Sequence, residues 1–343
     1  MLLDGILSAI GRTPLIRLRR LYPHLPFRLY GKLEALNPAG SSKDRPAHAI
    51  LQAAMREGLI DAETAIIESS SGNMGVGLAQ FCRYHGLRFI CVVDARTASQ
   101  NLSILEAYGA EIEVITEPDA SGDLLLTRLA KVRSLLAEIP NSFWPDQYAN
   151  RNNSASHYDS TIREILDDLD EPLDYLFCAV STCGTIRGCA EGLRDHGQKT
   201  RVIAVDAEGS VIFGGQSKKR MVPGLGAGRV PELCAPELVA DVVRVTDLDC
   251  VEGCRRLVDR EAILAGGSSG GVVKAVEKYA EKIPEGANCV VILPDRGERY
   301  LDLVYSDRWV QEHFGDLETL RGRWEGKPAV PTTEAGESEN RPV

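Results

Sequence analysis

No stretch of this 343-residue chain is apolar for long enough to span a bilayer, and no basic segment followed by an apolar core opens it. Those two absences set the expectation of a cytoplasmic protein with no membrane partner. An excess of positive charge is missing too. The 39 Lys and Arg face 49 Asp and Glu, for a formal net charge of −10, and no basic stripe offsets it. Nucleic acid is therefore not an expected partner. The nine cysteines include no Cys-x-x-Cys pair, so zinc-ligand spacing and a dithiol redox motif are both lacking, and no metal is expected. Cys82, Cys91, Cys178, Cys189 and Cys289 sit inside apolar runs and read as buried thiols. Repeats of fixed period are also absent.

What is present is ordinary for a globular protein: 44% hydrophobic and 26% charged residues, in a chain long enough for two domains and a substantial core. Short β-rich runs alternate with helical patterns. Strands are expected at 64–68, 89–93, 111–115, 174–180, 201–206 and 289–293, with helices at 76–85, 100–108 and 123–139 among them. Strand, helix, strand in this order implies an α/β fold of mostly parallel sheets flanked by helices, and two such sheets fit better than one. A smaller domain is expected at 40–147, and a larger one from 1–39 together with 148–315. From residue 316 to 343 Gly, Pro, Glu and Thr prevail without periodicity, which predicts a disordered tail.

Four polar segments carry the chemistry. In the run from Asn37 to Pro46, a turn made of Asn-Pro and Gly leads through Ser41 and Ser42 to Lys43, and a helix is expected from Ala47. A lysine at the positive end of a helix has its ammonium pKa lowered, which suits it to Schiff-base chemistry. The strand ending at Val180 empties into Ser181, Thr182, Cys183, Gly184 and Thr185 before a helix, an arrangement of converging N–H groups and hydroxyls that cups a phosphate. That loop matches neither the Walker pattern nor Gly-x-Gly-x-x-Gly. A second loop, Ser69, Ser70, Ser71, Gly72, Asn73 and Met74, offers donors for a carboxylate and an amide for a ring oxygen. A third, Gly266 to Gly271, contains Ser268 and precedes a helix expected from Val272. Together they predict one polar cavity between two domains.

These segments resemble the fold-type II pyridoxal 5′-phosphate enzymes of the cysteine synthase and cystathionine β-synthase group, from Ile10-Gly11-Arg12-Thr13-Pro14-Leu15 to the stretch 294–301. The resemblance implies that Lys43 carries the cofactor and moves the α-proton. It implies too that Ser181, Thr182, Cys183, Gly184 and Thr185 hold the cofactor phosphate, that Asn73 bonds the ring hydroxyl, and that Ser268 faces the pyridine nitrogen. A neutral serine there favours expulsion of a β-leaving group over transamination, so β-replacement through an aminoacrylate is implied. The run 292–305 is most similar to N-(2-amino-2-carboxyethyl)-L-glutamate synthases, which serve 2,3-diaminopropionate and siderophore pathways such as that of staphyloferrin B. By that likeness the substrates are O-phospho-L-serine and L-glutamate, and the assembly is a homodimer. A cysteine synthase using O-acetylserine or O-phosphoserine with sulfide is the alternative. A catalytically inactive regulatory relative is the alternative of another class.

Substrate contacts are expected from Ser70, Ser71, Gly72 and Met74, and from cations, since phosphate and glutamate bring several negative charges into one cleft. Arg128 lies on the apolar stripe of its helix with Leu124, Val132 and Leu135, so it needs a partner. A structural carboxylate and a substrate phosphate both answer. Arg220, Arg229 and Arg296 are further candidates, the first two in or near a Gly-rich segment resembling a flexible active-site loop. Tyr148, at the domain junction, reads either as a gate or as core packing.

Overall fold

The computed structural model describes residues 2–95, 97–117, 124–322 and 324. Ten strands run in chain order: β1 (Leu15–Arg17), β2 (Arg28–Leu33), β3 (Ala65–Ser69), β4 (Arg88–Asp94), β5 (Glu111–Ile115), β6 (Ser142–Phe143), β7 (Tyr175–Ala179), β8 (Arg201–Ala207), β9 (Asp241–Val245) and β10 (Asn288–Leu293). The helices among the described residues are α1 (Asp44–Arg56), α2 (Asn73–His85), α3 (Ser99–Ala107), α4 (Leu124–Glu138), α5 (Arg151–Ser156), α6 (Ile162–Asp168), α7 (Gly184–Asp195), α8 (Asp247–Glu261), α9 (Gly267–Tyr279), α10 (Asp307–Phe314) and α11 (Leu317–Arg321), with shorter 3-10 and π turns between them.

They build two sheets, of order β1-β2-β10-β7-β8-β9 and β5-β4-β3-β6. Every pairing is parallel except β1 with β2. The chain is thus an α/β protein with helices on the sheet faces, as the alternating pattern predicts. Central strands are buried on both sides: every residue of Ala65–Ser69 and Asn288–Leu293 is buried, which is why apolar residues dominate them without alternation. The larger core splits into two layers. One packs α8 and α9 residues such as Val251, Cys254, Val272 and Val276 against Phe177 and Val291. The other packs Ile162, Ile186, Cys189 and Leu193 against Leu176, Ala204 and Ile292. The smaller sheet has its own core around Ile50, Leu51, Ile66, Leu78, Phe81 and Leu105.

Where the chain leaves the expected boundaries, the reason is local. Asn73–His85 and Gly267–Tyr279 are helical from their first Ser/Gly-rich turn, so the segment 267–271 expected as a loop is the start of α9. It can be helical because glycine lets α8 and α9 touch backbone to backbone: a methyl group on Gly253 would overlap the Gly270 carbonyl. The stretch after residue 315 is not wholly irregular either. Asp316 accepts from the Thr319 N–H at 2.9 Å and caps α11, while Leu320 and Trp324 are buried in the larger core. The expected disordered tail gives way there to a capped turn; residues 323 and 325–343 lie outside the described ones. The expected first residue of the 123–139 helix, Asp123, also lies outside them. Among the described residues no helix is long and apolar enough to cross a membrane.

Candidate active site

The carboxyl ends of β3, β4, β7 and β10 open into a cavity of about 1230 Å³ between the two sheets. In the larger sheet, β7 and β10 are neighbours from which the chain order runs off in opposite directions, the switch point where open parallel sheets leave a crevice.

Lys43 is presented to this cavity by residues whose work is structural. Asp44 accepts the Ala39 N–H at 2.6 Å and the Ser41 hydroxyl at 3.2 Å, fixing the turn before the lysine. Arg45 pins the start of α1 to Glu34 at 2.7 Å and to Glu164 at 2.6 Å. Burial works against ionisation of Glu34, yet the Arg45 guanidinium holds its carboxyl below the ordinary value. The wholly buried Lys32 joins the same cluster through Glu164 at 2.9 Å. Burial also lowers the Lys43 ammonium below its usual range, while the charges of Asp295, Glu34 and Asp44 pull the other way. An amine so placed loses its proton more readily than one in water.

The phosphate-cup segment runs from Ser181 through the Cys183 N-cap into the first turn of α7. The first N–H groups of a helix have no partner within it, so the cup offers donors to a ligand. Cys183 takes a left-handed backbone, φ 65°, that turns successive N–H groups toward one point. Its side chain is buried in the core layer that holds Ile186 and Cys189. Gly184 has to be glycine, since a methyl group there would overlap the Asn153 amide. Thr182 accepts from Asn153 at 3.3 Å, and Thr185 shares a hydrogen bond with His157 at 3.1 Å. Burial pushes His157 down to about 3, so that ring is neutral and orients the threonine hydroxyl. Ser268, 5% exposed at the start of α9, also lines the cavity.

Fifteen of the expected site residues line this cavity: Lys43, Ser70, Ser71, Gly72, Asn73, Met74, Arg128, Tyr148, Ser181, Thr182, Cys183, Gly184, Thr185, Arg220 and Ser268. Some of them have side chains committed elsewhere. Ser70 accepts the Gly75 N–H at 2.9 Å, and Met74 is packed into the smaller core. Arg128 meets Asp94 at 3.3 Å and the Ser71 hydroxyl at 3.2 Å, while its Nε has no hydrogen-bond partner. A structural carboxylate and a free donor therefore coexist on one side chain. Arg229 is off the cavity wall and lies over the Tyr148 ring at 4.6 Å. Arg296 is a correction: its Nε donates to the Ala35 carbonyl at 2.8 Å, and it does not line the cavity.

Sequence reasoning assigned no role to Asp295, Arg299 or Tyr300, although all three lie in the matched stretch 294–301, and it passed over His157 and Asn153. Asp295 sits beside the cavity, 1% exposed, where burial raises its carboxyl above the ordinary value.

A lysine amine, a cup of helix N–H groups and hydroxyls, and a side-chain amide, gathered between two mostly parallel sheets, define the fold-type II class of pyridoxal-phosphate enzymes. The family model described as "Pyridoxal-phosphate dependent enzyme" matches residues 6–295, and the chain belongs to that family. Among solved structures it is similar to a hydrogen sulfide-producing enzyme from Fusobacterium nucleatum, with 32% identity, TM-score 0.82, and 88% of this chain and 100% of that one covered. It is similar to an O-acetylserine dependent cystathionine β-synthase from Helicobacter pylori, again with 32% identity and TM-score 0.82, covering 88% and 98%. An O-ureido-L-serine synthase matches at 30% identity and TM-score 0.81, covering 94% and 100%. The donor set fits the cofactor in kind: a lysine amine, N–H groups with hydroxyls at a helix start, and a side-chain amide are the groups its aldehyde, phosphate and ring oxygen would need.

Proposed function

We propose that this pyridoxal-phosphate dependent enzyme of the β-replacement type converts O-phospho-L-serine and L-glutamate to N-(2-amino-2-carboxyethyl)-L-glutamate and phosphate, supplying 2,3-diaminopropionate for siderophore biosynthesis. One observation carries the reading. In a chain of net charge −10, the cavity gathers five cations besides Lys43, namely Arg128, Lys218, Lys219, Arg220 and Arg299, against two carboxylates, Asp94 and Asp295. Sulfide has no need of such a field, whereas a phosphate ester and a dicarboxylic amino acid together do.

The cofactor, when bound, supplies an electron sink that acidifies the amino-acid Cα–H and lets the β-substituent depart. Lys43 takes the proton from Cα and later returns it. The first turn of α7 holds the cofactor phosphate, Ser268 stands at the ring nitrogen, and Ser71, Gly72 and Asn73 meet the substrate carboxylate and the ring. Arg128, on the cavity wall, receives the leaving phosphate beside Tyr148. Residues 40–147 act as a smaller unit that closes on the remainder, and the protein works as a cytoplasmic homodimer.

Holoenzyme incubated with O-phospho-L-serine and glutamate yields the glutamate adduct by mass spectrometry. If sulfide alone is incorporated, giving cysteine, the reading gives way to that of a cysteine synthase. The likeness to an O-acetylserine dependent enzyme favours this second reading.

A further inference from the structure

Asn73, the first residue of α2, has an amide whose two ends meet groups of opposite hydrogen-bonding character. Its Nδ2 donates to Asp295 Oδ2 at 2.7 Å, and its Oδ1 accepts from the Arg299 guanidinium. An ionised carboxylate only accepts and a guanidinium only donates. One orientation of the amide therefore satisfies both neighbours, and the reversed one sets nitrogen against guanidinium and oxygen against carboxylate. Both neighbours are themselves held. The Tyr300 hydroxyl donates to the same Asp295 oxygen, and Arg299 also donates to the Ala39 carbonyl. Asp295 is itself buried, at 1% exposure. Once these bonds are made, one amide hydrogen of Asn73 is left, on a side chain that lines the cavity with Lys43.

We propose that Asp295 and Arg299 are positioning residues that lock the Asn73 amide, so that Asn73 meets the ring oxygen of the cofactor as a hydrogen-bond donor. An amide free to rotate offers that oxygen its own carbonyl for part of the time, a contact with no shared proton. The proposal rests on the assignment of Asn73 to the cofactor ring, and the test separates the two.

Four holoenzymes are compared with wild type: Asn73→Ala, Arg299→Met, the double variant and Arg299→Lys. The readouts are the visible absorption band of the bound cofactor and its dissociation constant. Asn73→Ala and Arg299→Met shift the band in the same direction, and Arg299→Met weakens cofactor binding about tenfold, the size of one charge-assisted hydrogen bond. The double variant matches Asn73→Ala alone, because the arginine acts through the amide. Arg299→Lys keeps a donor and restores most of the band. An Arg299→Met protein with wild-type band and affinity overturns the proposal, as does a full Arg299→Met effect on top of Asn73→Ala. If Asn73→Ala itself leaves the band unmoved, the assignment of Asn73 to the ring falls and takes the proposal with it. Should Arg299→Met not fold, Asp295→Asn tests the same lock. A second amide both accepts and donates, so it no longer selects one orientation: a smaller shift in the same direction is expected, and no shift overturns the proposal.

Discussion

Glu68, at the end of β3, shows what burial does to one side chain near this site. Its carboxyl is 2% exposed and accepts from the Ser69 N–H at 2.8 Å and the Trp144 indole at 3.2 Å. Burial nevertheless pushes it up to about 7 from an ordinary 4.5. Between those two values the folded protein keeps a proton that the unfolded chain has lost, so stability falls as pH rises through that window. The size is roughly 3 kcal/mol. Glu68→Gln removes the titration, and urea midpoints at pH 5 and pH 8 are expected to differ less for the variant than for wild type. Equal differences would show that Glu68 does not titrate in that range. Lys43, whose ammonium burial also disfavours, follows the same physics toward a different end.

At the scale of elements, glycine decides how closely helices approach. Gly253 and Gly270 let α8 and α9 pack without side chains between them, which brings Ser268 to the cavity wall. Gly253→Ala forces the two backbones apart, with an expected cost of about 1–3 kcal/mol, seen as a lower Tm; an unchanged Tm would mean the helices can part freely. This packing marks the limit of what the sequence made legible. The sheet-forming runs, the lysine turn, the phosphate cup and the Ser/Gly segments are local patterns, and they could be read in order. The helical start of α9 could not, because glycines that look like loop residues are helical only when a second helix lies against them. The capped turn of α11 was missed for a similar reason: Leu320 and Trp324 gain their burial from the distant larger core, and Arg255 lies over the Trp324 ring at 5.1 Å. His157 was missed because a lone histidine carries no local signal. Its link to Thr185 joins positions 28 apart in the chain. Arg296 failed as a cation of the cleft because its turn aims it at Ala35, a direction no residue pattern encodes.

At the scale of the molecule, the site is a seam. Lys43 and Asn73 come from segments that pack with the smaller sheet, whereas Thr182, Ser268 and Asp295 come from the larger one, and the Asn73–Asp295 bond crosses between them. A cofactor that touches both sides adds its binding free energy to the folded state. Stripping the cofactor with a carbonyl reagent is therefore expected to lower Tm, and restored cofactor to raise it in a concentration-dependent way. A Tm indifferent to cofactor would mean that the two sides are held together without it. The claim on which all of this turns is that the amine of Lys43 is the point of covalent attachment. Borohydride reduction of the holoenzyme, followed by peptide mapping, tests it most directly: the account predicts the reduced pyridoxyl label on Lys43, and a label on another lysine, or none, would contradict it.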